Sequence, residues 1–213
     1  MKIKRTRSQI VRLPADESLA GGPPFYRLYH EFVTLQVETD SGIDGLGFAF
    51  FVGALAGTLK QAVDQLCELI VGDDPLRTEA VGRKLRHAAG SAGYGGIFTL
   101  AFSAIDIALW DIKGKALGQS LASLLGGLRE RVPTYASGAL SRTYPLEHVV
   151  KAGPMLVQKG FKQMKMQLAL PGATTPRHEV ERARLIREAV GPDIDLMCDI
   201  NQLWNVNQAI TIG

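Results

Sequence analysis

The chain has 213 residues, 46% hydrophobic and 21% charged, and its 24 basic and 21 acidic residues give a formal net charge of +3. These proportions are typical of a globular protein with a substantial core, and the balanced charge argues against a nucleic-acid partner. The sequence has neither the run of about 18 apolar residues that a membrane span requires nor the apolar segment of a secretory signal. Two cysteines, Cys67 and Cys198, make no disulfide framework, so we expect a cytoplasmic protein without a membrane partner.

The first half of the chain predicts strands followed by helices. A strand at the N-terminus precedes a hairpin, in which Tyr29–Thr39 is joined to LGFAFF through the turn cluster DSGIDG. Residues 14–26 hold three prolines and two glycines, which predict a long loop. Helical periodicity extends from Gly57 to Gly126. The longest helix begins near Phe98 and carries alanines on its apolar stripe, which predict close packing against another element.

After Arg131 the pattern changes to alternating strands and helices. Strands are predicted at VPTYAS (132–137), KQMKMQL (162–168) and DIDLMCDIN (193–201), and helices at 146–159, 176–190 and 205–210. Strands about 30 residues apart with helices between them are typical of parallel, right-handed βαβ units.

The second and third of these strands are polar on a face where parallel strands are normally apolar. In GFKQMKMQL, Lys165 lies between two glutamines on the face opposite Leu168, because successive side chains alternate. In the third strand, Asp199 and Asn201 lie on the face opposite Cys198. A closed barrel accounts for both strands, since one face meets the surrounding helices and the other points into the barrel.

Four polar residues fall near the C-terminal ends of these strands, where a barrel carries its active site. They are Lys165, Gln167, Asp199 and Asn201. With a lowered pKa, Lys165 would be a general base, and Asp199 would offer a hard oxygen ligand to a divalent metal ion. The alternative is that Lys165 and Asp199 form only a buried ion pair, and the pattern fits that equally well.

Three stretches carry a resemblance to a known family. They are AFSAIDIALWDIKGKALGQSLASLLGG (101–127), GFKQMKMQL (160–168) and DIDLMCDINQLW (193–204). They are similar to the helix signature, the GF-x-x-x-K-x-K strand and the aspartate-x-Asn strand of the mandelate racemase and muconate lactonizing enzyme branch of the enolase superfamily. The resemblance implies an α/β fold. An enolase-type α+β capping domain at residues 1–127 would precede the first strands of a modified TIM barrel, (β/α)7β, at residues 128–213.

The resemblance also implies a Mg²⁺-dependent lyase or isomerase. Family members bind Mg²⁺ with three carboxylates on successive strands and abstract the proton α to a substrate carboxylate, giving an enediolate. Such a proton is very weakly acidic, so its removal needs a cation near the developing charge and a base at contact distance. Asp199 matches the first metal ligand and Lys165 the first lysine of K-x-K. The implied substrate is a small hydroxy or sugar acid, and the implied assembly is a homo-oligomer.

Gln167 departs from the family, because the second lysine of K-x-K is usually the base. Either Lys165 stays cationic beside the substrate carboxylate while another strand supplies the base, or Gln167 donates a hydrogen bond to substrate in a one-base reaction. Both readings favour dehydration over two-base racemisation, with a racemase or cycloisomerase as the alternative. Asn201 resembles a position near the substrate or metal, or else caps its strand. Tyr26 and Arg27 resemble residues of the loops that close over the substrate.

The predicted barrel begins near Val132 and leaves about 80 residues, whereas a full barrel needs roughly 200 to 250. We therefore expect the remaining metal ligands and the base beyond Gly213, and activity to require them. An open fragment of three strands would instead be a catalytically inactive scaffold with exposed strand edges. A metal-free enzyme that forms a Schiff base at Lys165 is a third alternative.

Overall fold

The computed structural model describes residues 1–14, 19–22, 29–50, 53–172 and 175–213. The chain divides into two compact units, the first made of Met1–Leu13 with Tyr29–Glu130, and the second of Pro14–Leu28 with Arg131–Gly213. The predicted substrate contacts Tyr26 and Arg27 lie outside the described residues. Within the described ranges, every helix is too short or too polar to cross a membrane.

The first unit contains a three-stranded sheet, two strands of which form an antiparallel hairpin, and the sheet is followed by helices. Its strands are β1 (Ile3–Pro14), β2 (Tyr29–Thr39) and β3 (Gly45–Ala49), in the order β1-β2-β3. Its helices are α1 (Ala56–Glu68), α2 (Thr78–Ala89), α3 (Gly96–Leu117) and α4 (Leu121–Leu124). The predicted hairpin is confirmed, because β2 and β3 pair antiparallel with Val33 opposite Ala49. Alternate residues of β2 are buried in a core shared with α1, α2 and α3.

The longest helix, α3, approaches β3 so closely that only glycine fits at two positions of the strand. A Cβ added at Gly47 would collide with the backbone carbonyl of Ala104, and one added at Gly45 with that of Ala108. Ala104 and Ala108 are fully buried. The predicted close packing of the alanine stripe is thereby confirmed, and its partner is the second strand of the hairpin.

The second unit consists of parallel βα repeats. Its elements are β4 (Ala136–Leu140), α5 (Leu146–Gln158), β5 (Gln163–Gln167), α6 (Pro176–Val190), β6 (Asp195–Asp199) and α7 (Val206–Ile212). The strands lie in the order β4-β5-β6, and both neighbouring pairs are parallel, as predicted. The prediction of a strand at 132–137 is wrong at its start, which lies four residues before the observed start of β4. Pairing begins at Ala136, opposite Met164, and Pro133 has no N–H to donate to a ladder.

One face of the parallel sheet packs against helices α5 and α6. Met164 on β5 is fully buried with Leu156 of α5 and Ile186 of α6. This confirms which face of β5 is apolar. The prediction of an apolar, packed face is only partly right for β6. Leu196 packs against the core, but Cys198 on the same face is exposed.

We predict opposite effects for the same substitution at two glycines of the first unit. Gly47→Ala forces α3 away from β3 and lowers the free energy of unfolding by about 2 kcal/mol, as overpacking of a core does. Gly57→Ala, on an exposed part of α1 where an added Cβ meets nothing within 4 Å, raises it by about 0.5 kcal/mol. Denaturant titration measures both. A neutral Gly47→Ala would show that α3 and β3 are not held at this distance.

Candidate active site

Lys165 and Asp199 meet on the face of the sheet that points away from α5 and α6. The parallel register places Gln167 opposite Asp199. Lys165, two residues earlier on β5, therefore reaches along the strands to the carboxylate. Its Nζ lies 3.1 Å from Oδ2 of Asp199, and the two side chains are 24% and 27% exposed. The sequence placed both groups on one face, and the structure brings them into direct contact.

The ion pair shifts the pKa of both partners towards their charged forms. The pKa of Lys165 is raised, chiefly by its hydrogen bond to Asp199. The pKa of Asp199 is lowered, first by the backbone N–H of Asn201 and then by Lys165. A lysine that acts as a general base needs a pKa shifted in the other direction. The contact with Asp199 therefore favours the charged form of Lys165, and the role of Lys165 towards a substrate stays a prediction.

Tyr135 is a further neighbour of the ammonium group. The Lys165 Nζ lies 5.4 Å from the centroid of the Tyr135 ring, within the range of a cation–π contact. Tyr135 comes directly before β4 and was not predicted to belong to the site. The sequence feature that could have indicated it is the aromatic side chain within the predicted strand VPTYAS.

Asn201 holds both carboxylate oxygens of Asp199. Its backbone N–H donates to Oδ1 at 2.8 Å, and its side-chain Nδ2 donates to Oδ2 at 3.2 Å. Asn201 makes these bonds from a left-handed backbone conformation, with a φ of +46°. Such a conformation is uncommon except for glycine and asparagine. Asn201 thus makes the local hydrogen bonds of a strand-end cap, and contact with substrate stays a prediction.

Arg142 connects the end of β4 to the end of β6. Its Nη2 donates to Oδ1 of Asn201 at 2.7 Å and to the backbone oxygen of Asp199 at 3.2 Å. Arg142 is not among the predicted site residues, since the predicted strand ends at Ser137 and Arg142 follows the observed end of β4 at Leu140 by two residues. A polar residue directly after β4 thus contacts both Asp199 and Asn201.

Gln167 is buried, with 8% of its surface exposed, and its Oε1 accepts a hydrogen bond from Oγ of Ser141 at 3.0 Å. Ser141 is itself fully buried, and its backbone oxygen accepts from Nη2 of Arg182 at 2.6 Å. Neither Ser141 nor Arg182 was predicted. A charged residue on a helix normally indicates a solvated face, so no sequence pattern indicates that Arg182 is buried.

Asp199 is chemically suited to be one of the ligands of a magnesium ion. Its lowered pKa keeps it anionic, and a carboxylate oxygen is the donor that Mg²⁺ prefers. Across the residues that the structure describes, no three histidine, cysteine, aspartate or glutamate side chains are close enough to hold a metal ion together. The described part of the chain therefore offers one member of a magnesium site.

A cavity of about 660 Å³ opens beside the site rather than in it. It lies among the segments that follow β5 and β6 and the helices α6 and α7, and is lined in part by Arg142, Trp204 and Gln208. Lys165 and Asp199 are not among the described residues that line it. Among the described residues, the cavity and the site thus share Arg142 but not the ion pair.

Comparison with known protein families decides the relationship. Residues 27–126 match the model described as "Mandelate racemase / muconate lactonizing enzyme, N-terminal domain", and residues 148–213 match the one described as "Enolase C-terminal domain-like". The chain belongs to the mandelate racemase/muconate lactonizing enzyme family. Its fold is the family's α+β cap followed by the first strands of the modified TIM barrel, as predicted.

Several characterised members of the family are similar to this chain over most of its length. A 3,6-anhydro-alpha-L-galactonate cycloisomerase from Streptomyces coelicolor is 31% identical over 98% of this chain and 57% of its own length. A D-galactarolactone cycloisomerase from Agrobacterium fabrum is 33% identical over 100% and 55%. An L-talarate/galactarate dehydratase from Salmonella typhimurium is 32% identical over 85% and 45%. The chain thus spans about half the length of these relatives.

Solved structures of family members match the fold closely. A racemase from Streptomyces coelicolor with bound magnesium has a TM-score of 0.84 and 30% sequence identity, covering 99% of this chain and 58% of that one. The L-talarate/galactarate dehydratase of Salmonella typhimurium, liganded with Mg and L-lyxarohydroxamate, has a TM-score of 0.83 and 28% identity, covering 100% and 55%. Magnesium is therefore bound by members of the family that share this fold.

We predict that Asp199 stabilises this family member in a pH-dependent way. Because its pKa is lower in the folded state, its stabilising contribution is present at neutral pH and is lost as the pH falls through that pKa. In metal-free buffer, Asp199→Asn should lower the free energy of unfolding by about 1 kcal/mol at pH 7. The difference from wild type should close in acid.

The measurement is a series of denaturant titrations from pH 7 to pH 3 in EDTA. Asp195→Asn is the matched control, because Asp195 is an exposed carboxylate at the other end of β6. We expect it to change stability by less than about 0.5 kcal/mol. An effect of Asp199→Asn that did not vary with pH would contradict the ion pair.

Proposed function

We propose that the protein is a Mg²⁺-dependent enzyme that removes the proton α to the carboxylate of a hydroxy or sugar acid and then eliminates water. The single observation that carries this proposal is the contact of Lys165, two residues before the end of β5, with Asp199 at the C-terminal end of the neighbouring parallel strand β6. In barrel enzymes that end carries the chemistry. The similarity to acid-sugar dehydratases and cycloisomerases supports the same reaction class.

The residues of this chain suggest a division of roles. Lys165, with its raised pKa, holds its proton and presents a fixed positive charge to the substrate carboxylate. Asp199 would hold the cation, which when bound supplies positive charge for the developing enediolate. Gln167 has no proton-accepting group of useful pKa, so the base that takes the α-proton must come from elsewhere.

Dehydration fits this set of groups. The α-proton leaves to a base, the β-hydroxyl leaves as water after it is protonated, and the resulting enol rearranges to a 2-oxo-3-deoxy acid. This sequence needs one base and one acid. Racemisation needs a base on each side of the α-carbon, and Gln167 occupies the position from which the family usually supplies one of them.

Cycloisomerisation is the second candidate. Two cycloisomerases match 98% and 100% of this chain, more than the 85% matched by the talarate/galactarate dehydratase. A cycloisomerase begins with the same proton abstraction but loses no water, so its product has the mass of its substrate. The two candidates are thereby separable in one experiment.

The experiment is a substrate screen with the protein encoded by the complete gene. Diastereomeric aldonic and aldaric acids and their lactones are incubated with Mg²⁺ or with EDTA, in H₂O for the mass of the products and in parallel in D₂O for α-deuterium exchange. We expect turnover of one stereochemical group, abolished by EDTA, with loss of 18 mass units for a dehydratase, the mass of water, and no loss for a cycloisomerase.

Variants of the ion pair provide the internal test of that screen. Lys165→Met and Asp199→Asn should each lower turnover by at least about 100-fold. Turnover that survives EDTA would contradict the magnesium requirement. A substrate adduct trapped at Lys165 by borohydride would establish the Schiff-base alternative instead. A folded protein inactive on every acid and lactone would favour the inactive scaffold.

We predict a separate effect for Gln167, proposed to donate a hydrogen bond to substrate. Gln167→Ala should lower kcat/KM by about tenfold, which corresponds to the loss of one hydrogen bond. Gln163→Ala is the matched control, since Gln163 lies on the same face at the other end of β5 and donates to Asp195. Thermal unfolding distinguishes lost folding from lost substrate contact. A kcat/KM within twofold of wild type in a stable Gln167→Ala protein would refute the role.

A further inference from the structure

Arg142 reaches from one strand end to another across the strand between them. It follows β4, passes the end of β5 and donates from Nη2 to two acceptors at the end of β6, Oδ1 of Asn201 and the backbone oxygen of Asp199. Its Nε is buried and has no hydrogen-bond partner among the described residues. A buried donor without a partner is costly, so the two bonds made by Nη2 must hold the guanidinium in place.

The contact with Arg142 decides which way the Asn201 amide points. Because Oδ1 of Asn201 accepts from the guanidinium, Nδ2 is the atom that faces Oδ2 of Asp199. Turning the amide over would place its oxygen against the carboxylate, which is repulsive, and its NH₂ against a cation. Without Arg142, only the contact of Nδ2 with the Asp199 carboxylate would favour the observed orientation of the amide.

The orientation of Asn201 in turn sets the carboxylate. Each oxygen of Asp199 accepts one N–H from Asn201, so rotation of the carboxylate breaks a hydrogen bond. The left-handed backbone at Asn201 is one that asparagine adopts more readily than most residues, and the side-chain contacts on both sides help to maintain it. The order of dependence is thus Arg142, then Asn201, then Asp199.

We propose that Arg142 is a positioning residue that acts through Asn201 to fix the carboxylate orientation with which Asp199 binds the divalent cation. This inference rests on the proposed function, because it concerns the same metal ligand. Hydrogen-bonding groups behind a metal ligand commonly change metal affinity by about 10- to 100-fold when removed.

The sign of the effect separates positioning from simple charge. Arg142 is a cation near a candidate cation site, so its charge alone opposes metal binding. If charge were its only contribution, removing it would strengthen Mg²⁺ binding. If it positions Asp199, removing it weakens binding in spite of the more favourable electrostatics.

The test is Mg²⁺ binding by titration calorimetry to the protein from the complete gene, without substrate. We expect Arg142→Ala and Asn201→Ala each to raise the dissociation constant by about tenfold. The double variant should bind within about twofold of the weaker single variant, because both changes act on one carboxylate. Arg177→Ala, which removes an exposed arginine from the first turn of α6, should bind as wild type does.

Unchanged or tighter binding by Arg142→Ala would overturn the inference, and so would losses that multiply in the double variant. A crystal structure of metal-free Arg142→Ala gives a second readout. We expect at least one of the two Asn201–Asp199 hydrogen bonds to be broken, and their retention at 2.8 and 3.2 Å would also overturn the inference. Absence of Mg²⁺ binding by wild type would refute the proposed function itself, and the crystal structure still tests the positioning.

Discussion

The hydrogen-bonded ion pair between Lys165 and Asp199 is the interaction on which the rest of the site depends. Each side chain is only about a quarter exposed, so each has lost much of its hydration, and the opposite charge of the other compensates that loss. Paired, both remain charged on a sheet face that would otherwise have to be apolar. The neighbouring strand supplies the partner because parallel pairing puts Asp199 beside the end of β5. The register of β5 with β6 therefore allows this face of the parallel sheet to carry charged side chains.

The strand ends around this pair are held by charged residues of helix α6 that are themselves buried. Glu179, 2% exposed, accepts from the backbone N–H groups of Ala169 and Leu170, and Ala169 has a φ of +61°. Arg182, 4% exposed, donates to the backbone oxygens of Ser141 and Tyr144. Burial lowers the pKa of Arg182, but an arginine stays protonated and keeps its donors.

These contacts explain how irregular segments can present precise groups. The segment after β4 contains Ser141, which holds Gln167, and Arg142, which holds Asn201. Side chains at a reactive centre are placed accurately when their own hydrogen bonds are fixed by a rigid element behind them. Here that element is α6, which is packed on the outer face of the sheet through Ile186.

The sequence predicted the regular parts of the second unit well and the connections poorly. Alternation in GFKQMKMQL located β5 and its polar face, and α6 lies where its periodicity indicated. The start of β4, the exposure of Cys198 and the burial of Arg182 were missed. Alternation and helical periodicity depend on neighbours in the chain. Burial of a charged helix residue depends instead on backbone acceptors about 40 residues away, which no local pattern records.

Gln167, at the position where the K-x-K pattern of the resemblance would place a second lysine, also bears on the charge of Lys165. Residues two apart on one strand face lie roughly 7 Å from each other. A second amine at that distance would lower the pKa of the first, as like charges do. With a neutral amide there, held by Ser141, the charged partner that Lys165 contacts is Asp199, and its pKa rises. Under the proposed function, a glutamine at position 167 would thereby supply no base itself and would also leave Lys165 charged, suited to hold a carboxylate.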